Sequence, residues 1–137
     1  MGKPVVFFSH SSVDRQIVTS LKEMILQKTG NSFDIFASSD GESILFGTNW
    51  IHELEIALDK CDLMFVFISS RSIRSHWVFF ESGFAYAKGK KVIPVGIGEL
   101  DLEGLRSSPL GLLQGFNLKS GAALNNIISR INSILGH

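Results

Sequence analysis

Three dense apolar runs constrain this chain more than any other feature: Val5-Val6-Phe7-Phe8, Leu63-Met64-Phe65-Val66-Phe67-Ile68 and Val92-Ile93-Pro94-Val95. Their hydrophobicity is continuous and is carried largely by β-branched and aromatic residues. A strand with one wet face alternates between apolar and polar residues. A run without polar interruption predicts a strand buried on both faces, as in a parallel sheet covered by helices. Phe33-Asp34-Ile35-Phe36 and a weaker stretch over 114–118 predict two more strands. Pro94 has no ladder donor to give, so it is expected near the end of its strand.

Between these runs the period lengthens to that of a helix. Ile17, Leu21 and Met24 recur at four and three, with Ser12 as the expected N-cap and Asp14 favourable in the first turn. Ile51, Leu54, Leu58 and Cys61 repeat the pattern, as do Trp77, Phe80 and Phe84, and then Leu124, Ile127, Ile128, Ile131 and Leu135. Ser120 and Gly136 are conventional boundary residues for the last of these helices. Alternating strands and helices predict an open parallel sheet with helices on both faces and right-handed crossovers. No repeat or linker divides the sequence, so residues 1–137 are expected to form one domain. Ligands of such sheets bind beyond the carboxyl ends of the strands, which directs attention to Ser9–Asp14, Ala37–Thr48, Ser69–Trp77 and Gly96–Pro109.

Composition removes several classes of function. With 45% hydrophobic and 19% charged residues among 137, the chain can bury a core and is not a disordered segment. Thirteen basic residues balance thirteen acidic ones, which argues against a dedicated nucleic-acid binder. Every apolar run is far shorter than the roughly 20 residues that cross a bilayer, and the N-terminus has no signal-peptide layout, so no membrane partner is expected. Cys61 is the only cysteine, which excludes an internal disulfide and a cysteine-based zinc site and makes the cytoplasm the expected compartment.

The candidate loops carry few known signatures. Ser9-His10-Ser11-Ser12 follows the first strand without the glycines of a dinucleotide fingerprint, and no Gly-x-Ser-x-Gly elbow surrounds its serines. Gly89-Lys90 lacks P-loop spacing and is expected to end a helix. Histidines 10, 52, 76 and 137 form no metal pair at helical spacing, so no metal site is expected. Ser12 reads as a cap, whereas Ser9, His10 and Ser11 lie where the sheet opens and offer donors to a polar ligand. The stretch from Ser75 to Ala85 is the most unusual. Helical spacing sets Glu81 on one face with Trp77 and either Phe84 or Ala85, within about two turns of the sheet's carboxyl edge. Burial would raise the pKa of Glu81 and the helix N-terminus would lower it; the residues alone leave a catalytic carboxylate and a solvated glutamate equally open. Trp77 is equally open between ligand stacking and core packing.

Taken in order, these residues resemble a Toll/interleukin-1 receptor (TIR) domain, in particular the prokaryotic kind. The similarity runs through Val6-Phe7-Phe8-Ser9-His10-Ser11-Ser12-Val13-Asp14, then Asp40, Phe46-Gly47 and Trp50 with Ile51, Leu54 and Leu58. It continues in Phe65-Val66-Phe67-Ile68-Ser69, Ser75-x-Trp77-x-x-x-Glu81, Ala85 and Lys91-Val92-Ile93-Pro94-Val95. The resemblance implies a flavodoxin-like, five-stranded parallel sheet in which the proline is usual. In enzymatic TIR domains the glutamate of Trp-x-x-x-Glu is essential for breaking the nicotinamide–ribose bond of NAD⁺, and Glu81 is the matching position. Substrate contacts are then expected from Ser9, His10, Ser11, Ser38, Asp40, Phe46, Gly47, Ser75 and Trp77. NAD⁺ is substrate in this scheme, and no separate cofactor is implied.

The segment from Ala37 to Gly47 matches the family's BB loop, which helps neighbouring protomers assemble. Gly41 and Gly47 permit a mobile cover, and Ile44, Leu45 and Phe46 would make an apolar contact tip. The resemblance therefore implies an NAD⁺ hydrolase or cyclase, activated by self-association, in prokaryotic antiviral defence. Its trigger would come from a sensor domain in a longer effector or from a second-messenger-binding partner. Two alternatives stand beside it: a TIR interaction module without catalysis, and a nucleoside deoxyribosyltransferase-like enzyme. The Trp77/Glu81 pair favours the first reading. The proline found in the BB loop of many receptor TIR domains is missing here, where Phe46 precedes Gly47, and this weakens the adaptor alternative.

Overall fold

Each apolar run becomes a strand. A computed structural model describes residues 3–38, 50–98, 100, 103–104, 116–117 and 123–135. The chain runs through β1 (Val5–Ser9), a 3-10 turn (Ser12–Asp14), α1 (Arg15–Lys28), β2 (Asp34–Ser38), α2 (Trp50–Asp59) and β3 (Cys61–Ile68). It continues with α3 (His76–Ala87), β4 (Lys91–Gly96), β5 (Phe116–Asn117) and α4 (Ala123–Leu135). The five strands pair in parallel in the order β2-β1-β3-β4-β5, the flavodoxin-like arrangement that the resemblance implied.

Continuous hydrophobicity is explained by the two apolar layers that enclose the sheet. Val6 and Phe8 of β1, with Leu63, Phe65 and Phe67 of β3, pack with Val18 and Ile25 of α1 and Ile127 and Ile131 of α4. On the opposite face Phe7, Met64, Val66 and Ile68 pack with Leu54 and Leu58 of α2 and Val78 and Ala85 of α3. Successive residues of β1 and β3 thus enter different cores, and neither strand has a face left for water. Because the strand order turns back between β1 and β3, a crevice is expected beyond their carboxyl ends.

Two helices close with the same device. In α1 the Gly30 amide bonds to the Gln27 carbonyl and the Asn31 amide to Leu26; in α3 Gly89 bonds to Tyr86 and Lys90 to Ala85. These are Schellman pairs, and they require the left-handed backbone of Gly30 (φ 61°) and Gly89 (φ 81°). Gly89-Lys90 therefore ends a helix, as expected. Pro94 is not at its strand's end but pairs with Val66 inside β4. Among the described residues the ladder to β5 begins at Val95.

Four helical readings need correction. Ile17 and Met24 are 47% and 43% exposed, while Val18 and Ile25 are buried: the core stripe of α1 lies one residue later than the spacing suggested. In α3 the buried stripe is Val78, Glu81, Ser82 and Ala85; Phe80 is exposed, with its ring 6.1 Å from that of Phe84. Both helices carry more apolar residues than one face can hold, so periodicity alone cannot select the face. Ser12 opens the 3-10 turn instead of capping α1, whose N-cap position belongs to Asp14. Cys61 begins β3 and does not continue α2. Leu124 and Leu135 side chains, Ser120 and Gly136 lie outside the described residues.

Candidate functional site

Glu81 stands in the second turn of α3, a helix capped by Ser75, whose Oγ accepts the Val78 amide at 3.4 Å. The helix packs on the face of the sheet that receives Phe7, so the next residue of β1 on that face, Ser9, meets it. The Ser9 hydroxyl donates to Glu81 Oε1 at 2.8 Å. Neither residue has exposed surface. The solvated-glutamate reading of the sequence is thereby removed: Glu81 is a buried carboxylate, and a buried carboxylate needs hydrogen-bond donors or charge to offset its lost hydration. Lys88, the C-cap residue of α3, is engaged elsewhere, with Asp59 at 3.0 Å.

His10 and Ser11 continue from Ser9 and are also buried. The His10 Nδ1 lies 3.0 Å from the Ser11 carbonyl, and since a carbonyl only accepts, Nδ1 carries the hydrogen in this contact. Ser9, Glu81, His10 and Ser11 thus gather at the carboxyl end of β1, beside the point where the strand order turns back. Ser75 precedes α3, where its hydroxyl oxygen accepts the Val78 amide and keeps its own hydrogen to donate. The side chains of Ser38 and Trp77, and residues Asp40, Phe46 and Gly47, lie outside the described residues.

A second buried carboxylate was not anticipated. Asp14, at the head of α1, is 2% exposed, and its Oδ1 accepts a hydrogen bond of 2.8 Å from the Ser69 hydroxyl just past β3. Ser69 in turn is tied to Ser72: the Ser69 amide donates to Ser72 Oγ at 2.8 Å, and the Ser72 amide donates to Ser69 Oγ at 3.2 Å. The sequence presents Asp14 as a favourable first-turn charge and Ser69 as the head of the candidate loop Ser69–Trp77, with no sign in their spacing that the two meet. The available signal was the pairing of an acidic residue after one buried strand with serines after its neighbour.

Among the described residues no three His, Cys, Asp or Glu side chains gather as a metal ion would need. No described helix is long and apolar enough to cross a membrane. Fold and site together define an open, doubly wound α/β domain with a buried Ser–Glu pair at its switch point. The chain belongs to the TIR-domain family, whose pattern its sequence matches over residues 6–128. In structure it is similar to the TIR domains of the activated Roq1 resistosome directly recognizing the pathogen effector XopQ, with a TM-score of 0.61 and 16% identity over 97% of this chain and 99% of that one. Such low identity speaks to fold alone. A 2-desoxiribosyltransferase from Leishmania mexicana is similar at a TM-score of 0.49 and 18% identity, over 77% of this chain and 72% of that one, too weakly to carry an argument. No curated protein matches the sequence significantly.

Proposed function

We propose that this domain cleaves the nicotinamide–ribose bond of NAD⁺, releasing nicotinamide with ADP-ribose or a cyclic isomer, and that Glu81 is the catalytic carboxylate. The observation that carries the reading is the buried Ser9–Glu81 pair at the switch point, at the family's Trp-x-x-x-Glu position. Nicotinamide leaves with the bonding electron pair and becomes neutral, so no acid is required to protonate it. Positive charge develops instead on the ribose, where a carboxylate in poorly hydrated surroundings stabilises it strongly. Ser9 orients that carboxylate through Oε1. Water attacking the ribose completes hydrolysis, and an atom of the ligand itself completes cyclisation.

Glu81 has no exposed surface, so ribose reaches it only after neighbouring groups move. Self-association through the Ala37–Gly47 segment is the proposed trigger for that opening, and a sensor domain or second-messenger-binding partner would promote it. The setting we infer is cytoplasmic, in prokaryotic antiphage defence; a lone buried thiol fits a reducing compartment. The same burial is the observation that favours the competing reading, an interaction module without catalysis. Nicotinamide release by concentrated or artificially clustered protein separates the two. Release by wild type and its loss in Glu81→Gln are expected; equal release by both proteins would refute the catalytic assignment, and silence of both after clustering would favour the interaction module.

A further inference from the structure

We propose that Asp14, on the face of the sheet opposite Glu81, is a positioning residue that sets the turn from which α3 starts, and thereby the stance of Glu81. The inference rests on the reading of Glu81 as catalytic. It begins from what Asp14 does not do. Aspartate at an N-cap ordinarily accepts an amide of its own helix, yet the Asp14 side chain makes no capping bond in α1. Its carboxylate turns to Ser69, 55 residues away, through Oδ1, while Oδ2 is buried and has no hydrogen-bond partner among the described residues. A side chain kept only to stabilise α1 would cap it, and one kept only to fill the core would not bury an unpartnered carboxylate oxygen.

The single bond it makes has directional consequences. Ser69 Oγ accepts the amides of Arg71 and Ser72, each at 3.2 Å, and its one hydrogen goes to Asp14. The Ser69 hydrogen is therefore not available to the Ser72 hydroxyl 3.2 Å away. Asp14 thus fixes the direction in which one member of a reciprocal serine pair donates. The turn then passes onward: the Ser75 amide bonds to the Ser72 carbonyl at 2.9 Å, and Ser75 caps α3 through Val78. Glu81 follows about one and a half turns into the helix. Without Asp14 the Ser69 hydrogen is released and can turn to Ser72, and the start of α3 loosens on its side of the sheet.

The test is residue-resolved amide exchange on the whole chain, combined with nicotinamide-release kinetics. Asp14→Ala is expected to speed exchange at Ser72, Ser75 and Val78 about tenfold, leaving the first turn of α1 unchanged. It is also expected to lower kcat about tenfold or more with KM within about twofold, because a displaced carboxylate loses transition-state contact more than binding. Asp14→Asn retains an acceptor oxygen for Ser69 and is expected to restore both readouts. Exchange rising at the head of α1 instead of at α3, or no rise at α3, overturns the proposal. Ser69→Ala removes the donor from the other end and must reproduce the α3-specific change, which decides the matter if Asp14→Ala does not fold. If wild type releases no nicotinamide, the catalytic reading of Glu81 fails, and the exchange pattern still decides whether Asp14 sets this turn.

Discussion

Two buried carboxylates lie at the carboxyl edge of one sheet, on opposite faces, and are treated very differently. Glu81 sits inside α3 and is met by a strand residue, Ser9, that the sheet holds rigidly in place. Asp14 sits at a helix head and is met by Ser69 in a turn, so its bond joins two connecting segments instead of a helix to the sheet. Asp14 also leaves one oxygen without a hydrogen-bond partner among the described residues, an arrangement that ordinarily costs about 1–3 kcal/mol. The contrast separates a carboxylate that joins a helix to the sheet from one that ties two connecting segments together.

The largest expected effect breaks the pair apart by activity. Glu81→Gln should lower nicotinamide release by about 100-fold or more, while Asp14→Asn stays within about threefold; equal losses would erase the distinction. Stability comes next, measured by urea unfolding. Ser69→Ala strips Asp14 of its donor and should cost about 2 kcal/mol, whereas Ser9→Ala should cost about 1 kcal/mol.

The smallest effect serves as a control at the other edge of the sheet. Cys61 opens β3, and burial above all pushes its thiol up from an ordinary 9.0 to about 11, with Lys90 partly opposing. The folded state therefore holds its proton more tightly than the unfolded chain does. Stability from this group is complete below pH 9.0 and is lost as pH rises through about 11. Iodoacetamide at pH 8 should leave native protein unlabelled and label it promptly in urea; fast native labelling would show that the amino edge opens as readily as the site.

Much of the fold was legible because burial on both faces writes an uninterrupted apolar run. β1, β3 and β4 were readable from that property, and the last helix from Ile127 and Ile131, both buried as expected. The faces of α1 and α3 were not. Ile17 and Val18 are equally apolar, and only contact with the sheet chooses between them. At the site, helical spacing put Glu81 on the face of Ala85, which is buried with it, but named neither its partner nor its burial. Ser9 could be suspected from its place after a buried strand, whereas its bond to a residue 72 positions away could not be read from spacing.

The sequence by itself determined the class of architecture, the family and the position of the one carboxylate within α3, because each is written in local pattern: run length, period and motif order. The tertiary structure alone decided that Glu81 is wholly buried against Ser9 and that Asp14 turns from its own helix to Ser69. Both depend on which strands become neighbours. Parallel pairing of β1 with β3 brings the ends of distant segments together, and hydrogen bonds there answer to distance in space, to which one-dimensional spacing is blind.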